Sequence, residues 1–171
     1  MDLNRTVSAL CLVSLLGPGI AEGAYNVRFG ESFIEQGDYL LAPGVQVALD
    51  TGKRRYRFDF TGREFGPFLQ ATAIASYDLE LKLVPWERVT THYGFSLMDE
   101  YTAFDDPHGK KEDIHSFNAG LNLGLGVKVY EGDRWNVMLD WNSHIFAAGL
   151  AFIFLTTARK TVFTLSAGYD L

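Results

Sequence analysis

The chain has 171 residues with a formal net charge of −6, a length that suits one domain able to fill a core or close a barrel. The excess of acid leaves no basic surface for a phosphate backbone, which excludes nucleic acid as a partner. Thirteen Phe, eight Tyr and three Trp are many for this length, and the 17 Gly scattered through apolar segments suit strands and turns better than helices.

The first segment, Met1 to Gly23, has the three parts of an export signal. Arg5 supplies the charged start, Val7 to Leu16 the apolar stretch, and Gly19-Ile-Ala21 or Ala21-Glu-Gly23 a small-residue cleavage site. The apolar run is shorter than the roughly 20 residues that a helix needs to cross a bilayer. Cys11 lies inside this segment, so residues 24–171 hold no cysteine for a disulfide or a thiol nucleophile. Residues 1–23 are thus expected to be removed, and 24–171 to form the mature domain.

Tyr25, Val27 and Phe29 alternate with Asn26, Arg28 and Gly30, which predicts a strand over about 25–33, followed by a short loop from Ile34 to Asp38. Val45, Val47 and Leu49 alternate with Gln46 and Asp50, and Asp50-Thr-Gly-Lys53 is a hairpin turn. Beyond it Tyr56, Phe58 and Phe60 oppose Arg55, Arg57 and Asp59, and Thr61 to Pro67 reads as a loop. From Phe68 to Val84 one parity is apolar and the other carries Gln70, Thr72, Ser76, Asp78, Glu80 and Lys82. Pro85-Trp-Glu-Arg88 turns the chain into a strand with Tyr93, Phe95 and Leu97 on one face and His92, Ser96 and Glu100 on the other.

Tyr101 to Ile114 has six charged residues without period and is expected to be the longest loop and the best contact surface. It also holds His108, Asp105, Asp106, Glu112 and Asp113, with His115 just beyond, but no ligand spacing marks a metal site, so none is assigned. Phe117 to Val129 alternates again, with Lys128 on the polar parity, and Glu131-Gly-Asp-Arg134 turns into Trp135, Val137, Leu139 and Trp141 against Asn136 and Asp140. Trp86 and Trp135, beside tight turns, are placed at one end as an interfacial aromatic belt.

Ile145 to Leu155 is apolar at both parities. As a strand it would turn Phe146, Leu150, Phe152 and Phe154 outward and Ala147, Gly149 and Ala151 inward; a membrane helix over 141–158 and an apolar surface loop are the alternatives. The last segment, Thr161 to Leu171, again alternates, with Phe163, Leu165, Tyr169 and Leu171 on one side.

These repeats predict an all-β fold, an antiparallel up-and-down transmembrane β-barrel. A literal count gives nine strands, whereas single-chain bacterial barrels have even numbers, so eight strands are assigned, with ten as the alternative. In signal, repeats, turn–loop alternation and closing strand the chain resembles the small eight-stranded outer-membrane proteins. The resemblance implies an outer-membrane location in a Gram-negative bacterium, contact with outer-membrane lipid and lipopolysaccharide, and recognition of Phe163, Leu165, Tyr169 and Leu171 by the barrel-assembly machinery.

In so narrow a barrel the inward charges Arg55, Arg57, Asp59, Asp78, Glu80, Lys82, Lys128 and Asp140 are expected to pair into a plug. A narrow pore is the less economical reading. His144-Ile-Phe-Ala-Ala-Gly-Leu150 is similar over seven residues to the active-site strand of the lipid A 3-O-deacylases, His-x-Ser-Asn-Ala-Gly-Leu. That resemblance implies an ester hydrolase, but its nucleophile position here holds Phe146 and its Asn position Ala147. A phenyl ring cannot be deprotonated to attack an ester. His92 and His144 are the remaining catalytic candidates, each without a serine in reach along its own strand. No cofactor-binding motif is present. The expected role is therefore structural or surface interaction, with a lipid A-modifying enzyme as the alternative.

Overall fold

A computed structural model describes residues 25–36, 40–65, 68–105, 111–148 and 156–171; the expected export signal over 1–23 lies outside the described residues. Eight strands form one closed antiparallel barrel: β1 (Tyr25–Gln36), β2 (Leu40–Thr51), β3 (Arg54–Phe65), β4 (Phe68–Leu81), β5 (Val89–Asp105), β6 (Lys111–Glu131), β7 (Trp135–Ala148) and β8 (Thr156–Asp170). Each strand pairs with the next, and β1 pairs with β8, so no sheet edge is left open. The eight-stranded, all-β assignment holds.

The β2–β3, β4–β5 and β6–β7 connections lie at the same end as the start of β1 and the end of β8. Gly52 takes φ 58° in the β2–β3 turn, the left-handed conformation that glycine adopts without penalty. The β6–β7 turn is held by Gly132 N–H donating to Trp135 O at 2.8 Å, and the closing strand is tied down where Leu171 N–H donates to Tyr25 O at 2.8 Å. Following the lateral pairing around the wall from Tyr25 leads through Thr51, Arg54, Leu79, Tyr93, Leu123 and Ser143 to Thr161, whose neighbour Val162 faces Ile34. The path therefore climbs as it circles, and the strands tilt by roughly 40°.

The alternation sorts the side chains as charge and bulk require. Phe58, Phe60, Tyr93, Phe95, Leu121, Leu123 and Phe163 face outward and are exposed, while Arg57, Asp59, Asp78, Ser96 and Asn142 face inward and are buried. Trp135 and Tyr169 meet edge to face with centroids 4.8 Å apart, at the end that carries the tight turns.

Several expected boundaries move. β1 runs to Gln36 and β3 to Phe65, so Ile34 to Gln36 and Thr61 to Phe65 belong to strands and not to loops. Tyr101 to Ile114 is no loop: Tyr101 pairs with His115 and Asp105 with Lys111, and only the tip, 106–110, lies outside the described residues. Alternation lapses because the β5–β6 hairpin meets solvent on both faces above the rim, where Asp113, on the outward parity, is exposed. Ile114, on the inward parity, is 65% exposed.

The nine-strand count came from dividing β7. Alternation runs unbroken from Asn136 through Asp140, Asn142 and His144 to Phe146, all buried inside the barrel. Phe146 thus faces inward and Ala147, on the other parity, outward, the reverse of the expected assignment, and a helix over 141–148 is excluded. The residues 149–155, with the expected positions of Gly149, Leu150, Ala151, Phe152 and Phe154, lie outside the described residues.

Candidate functional site: the barrel interior

The lumen is built in layers, and the order of inward residues along each strand fixes them. From the turn end, β4 presents Asp78, Ser76, Ile74, Thr72 and Gln70; β5 presents His92, Ser96, Met98 and Glu100; β7 presents Asp140, Asn142, His144 and Phe146.

The lowest layer surrounds a cavity of about 280 Å³ that opens at the turn end. Asp50 accepts from Arg28 Nε at 2.6 Å and from Arg55 Nε at 2.7 Å, and Arg55 Nη1 reaches Asp140 at 2.9 Å. Asn26 Nδ2 donates to Asp170 at 2.7 Å. Arg28 and Arg55 thus share Asp50 and Asp140 here.

Arg57 occupies the middle. Its Nε lies 3.0 Å from Asp59 Oδ2 and its Nη1 lies 3.6 Å from Asp78 Oδ2. Gln46 Nε2 donates to Asp59 at 2.9 Å and to Thr164 at 3.0 Å, and Asn122 Nδ2 donates to Asp78 at 2.5 Å. Each carboxylate therefore meets a cation and an amide donor, the arrangement that makes a buried ion pair tolerable. His92 Nε2 sits 2.6 Å from Asn142 Oδ1. That contact needs Gly124, since a Cβ there would overlap both His92 Nε2 and Asn142 Oδ1.

Above Arg57, His144 Nδ1 lies 2.8 Å from Ser96 Oγ, and Ser96 Oγ lies 3.2 Å from Ser76 Oγ. Arg57 Nη2 stands 3.5 Å from both His144 Nε2 and Ser76 Oγ. A guanidinium only donates, so it favours an unprotonated Nε2. In the neutral ring that choice leaves the proton on Nδ1, which then donates to Ser96 Oγ. In that state the nitrogen facing Ser96 has no lone pair to accept the serine proton, and an arginine stands where a hydrolase has its orienting acid. Ser96 and His144 are also wholly buried.

The next layer is apolar. Ile34, Ile74, Met98, Phe146 and Val162 are buried and close over the polar network, with the Phe146 ring stacked on His144 at 5.8 Å and 3°. Beyond them Glu100 accepts from Gln70 Nε2 at 2.5 Å and from Lys160 Nζ at 3.2 Å.

Of the charges expected inside, Arg55, Arg57, Asp59, Asp78 and Asp140 come together in ion pairs. The others do not join them. Glu80 lies at the mouth of the turn-end cavity, and Lys82 lies past the end of β4, exposed. Lys128 pairs with Glu131 at 2.7 Å on the rim, where its hydrogen bond holds the Glu131 carboxyl below the ordinary carboxylate range. A register shift between Lys128 and Tyr130 displaces the end of β6 from strict alternation. His92 and His144 both face the lumen on different layers, and His115 faces outward, 2.6 Å from Asp99. Among the described residues no group of three or more His, Cys, Asp or Glu is placed to hold a metal ion.

The serine beside His144 escaped the sequence because it comes from β5, 48 residues away. Arg28 and Asp50 were visible on the polar parity of their strands, but only the register across β1, β2 and β3 places Arg28 and Arg55 on one carboxylate. The apolar layer had one signal, Ile74, which interrupts the polar parity of β4.

No family model matches the chain, and no curated protein matches it in sequence. Its fold is similar to those of solved outer-membrane barrels. A major outer membrane protein from Thermus thermophilus aligns with TM-score 0.61 and 16% identity, covering 87% of this chain and 99% of that one. Ail, the attachment invasion locus protein of Yersinia pestis, aligns with TM-score 0.57 and 13% identity over 88% of this chain and 99% of its own. Neisserial surface protein A aligns with TM-score 0.53 and 13% identity over 88% and 100%. At these identities the likeness establishes the architecture.

Proposed function

We propose that this chain is an exported protein of the Gram-negative outer membrane, a non-catalytic barrel that presents its β5–β6 hairpin at the cell surface. The observation that carries the reading is the inversion of polarity across the wall. Exposed Phe, Leu, Val and Tyr cover the outside, and paired charges fill the inside. In water that outside would be a large aggregating surface; in a bilayer it is the lipid contact. The band begins at Trp135 and Tyr169 and ends near the Asp99–His115 pair, consistent with an apolar height of about 25 Å.

Residues 1–23 would direct export and be removed, and Phe163, Leu165, Tyr169 and Leu171 would present the closing strand to the barrel-assembly machinery. Phe163, Leu165 and Leu171 are exposed on the outer wall, as such recognition requires. The tight-turn end would face the periplasm and the long hairpin the exterior, where lipopolysaccharide surrounds it. Structural neighbours with surface roles by name, Ail and Neisserial surface protein A, support a structural or surface-interaction role.

Ester hydrolysis on lipid A is the alternative that Ser96 and His144 raise. Their burial inside a closed wall, the tautomer set by Arg57 and the Phe146 ring above them all argue against it. A pore is opposed by the apolar layer over the polar lumen.

An epitope inserted within 106–110 tests the surface assignment. It should bind antibody on intact cells; binding only after the outer membrane is permeabilised would overturn the orientation.

A further inference from the structure

Glu31 stands exposed on the outer wall of β1, between Phe29 and Phe33 on its own strand. Val45 and Leu165 flank it on the two neighbouring strands, and both are exposed. It lies six residues above Tyr25, and at about 3.3 Å per residue on a strand tilted by about 40° it is roughly 15 Å from the turn-end rim. That is close to the middle of the apolar band. Among the described residues, no hydrogen bond or ion pair reaches its carboxyl.

One further polar side chain without a ring stands partly exposed near this depth on the outer wall, Ser143 of β7. Its lateral neighbour Thr161 on β8, which adjoins β1, lies higher and is only 8% exposed. Glu31 and Ser143 thus stand on either side of β8, while the other strands present apolar or aromatic residues at that depth.

We propose that this seam binds a second copy of the chain, the two barrels standing side by side about a twofold axis along the membrane normal. The inference rests on the outer-membrane reading above. Insertion forces both copies the same way up, so each residue meets the other barrel at its own depth, and a twofold interface sets one patch against itself. Hydrocarbon offers a carboxyl no water to satisfy it, and Ser143 in the matching seam of the other copy supplies a hydroxyl donor close to its depth. An ion pair between copies is not available, because the outward cations Arg54 and Arg159 lie toward opposite rims.

The test uses full-length protein carrying Cys11→Ser in native membranes, with single cysteines at Phe29→Cys beside the seam and Phe95→Cys on β5, across the barrel. Oxidation should convert most of the Phe29→Cys protein to a disulfide dimer and leave Phe95→Cys monomeric. Adding Glu31→Leu to Phe29→Cys should lower the dimer yield at least fivefold, whereas Glu31→Gln, which keeps a polar group, should preserve most of it. Equal crosslinking at both positions, or no effect of Glu31→Leu, would overturn the proposal. Heat-modifiable migration of each variant is read on the same gels. A protein that is membrane-bound and heat-modifiable yet uncrosslinked refutes the dimer alone; a protein absent from the membrane refutes the barrel reading itself.

Discussion

Arg57 Nε lies 3.0 Å from Asp59 Oδ2, two residues along the same strand, with both side chains sealed from solvent. A strand returns side chains to one face every second residue, so the sequence pattern Arg-x-Asp becomes a buried ion pair only when that face turns inward. Asp78 on β4 faces the same guanidinium at 3.6 Å, so one cation serves two acids.

Replacing Arg57 by Leu strands both carboxylates and is predicted to cost about 3–5 kcal/mol, read as a lower urea midpoint for unfolding from lipid vesicles. Removing all three charges together (Arg57→Met, Asp59→Leu, Asp78→Leu) is predicted to cost less than Arg57→Leu alone, because no unpaired charge remains. A triple variant less stable than the single one would contradict the assignment of this cluster as a filled, paired core.

Ser96 accepts from His144 in the tautomer that Arg57 favours, so Ser96→Ala leaves a buried donor without its partner. The predicted loss is about 1–3 kcal/mol of stability. The masses of lipid A from cells expressing either protein should be identical to those from cells lacking it. A deacylated species present with the natural chain and absent with Ser96→Ala would establish catalysis instead.

Gly124→Ala tests the close approach of His92 and Asn142. A methyl group at that position overlaps both side chains, and the shift it forces is predicted to cost about 1–3 kcal/mol. The equivalent change at Gly62, which has open space around it, should be nearly silent. Equal losses at the two sites would refute the packing described.

The apolar layer predicts the conductance. The natural protein in a planar bilayer should show no steady ion current, because Ile74, Met98 and Phe146 exclude water above the polar lumen. Replacing Ile74 and Phe146 together by Ser should admit water and produce a small, steady current. Current through the natural protein would revive the pore reading.

What the sequence made legible followed from period two. The alternation of Tyr56, Phe58 and Phe60 with Arg55, Arg57 and Asp59 is enough to assign both faces of β3, and the closing strand from Thr161 behaves likewise. The pattern failed where its cause lapsed. Above the rim, Asp113 and Ile114 meet solvent on opposite faces, so the lapse of alternation concealed a paired hairpin. At Phe146 the lumen itself is apolar, so an inward residue looked outward. Register was illegible throughout: nothing local to Ser96 or His144 announces that β5 and β7 bring them within 2.8 Å. Nor does a sequence show that a lone glutamate such as Glu31 stands halfway up the outer wall, which requires the strand ends and the tilt.

A closed barrel that spans a membrane keeps its fold in cold detergent, so heat-modifiable migration reports on it. Cell envelopes are fractionated, the outer membrane is extracted with detergent, and the protein is run on a gel with and without boiling. A membrane-spanning barrel should be recovered in the detergent extract and show two mobilities, a faster compact band unheated and a slower band after boiling. Recovery in the soluble periplasm without detergent, with one mobility under both conditions, would contradict it.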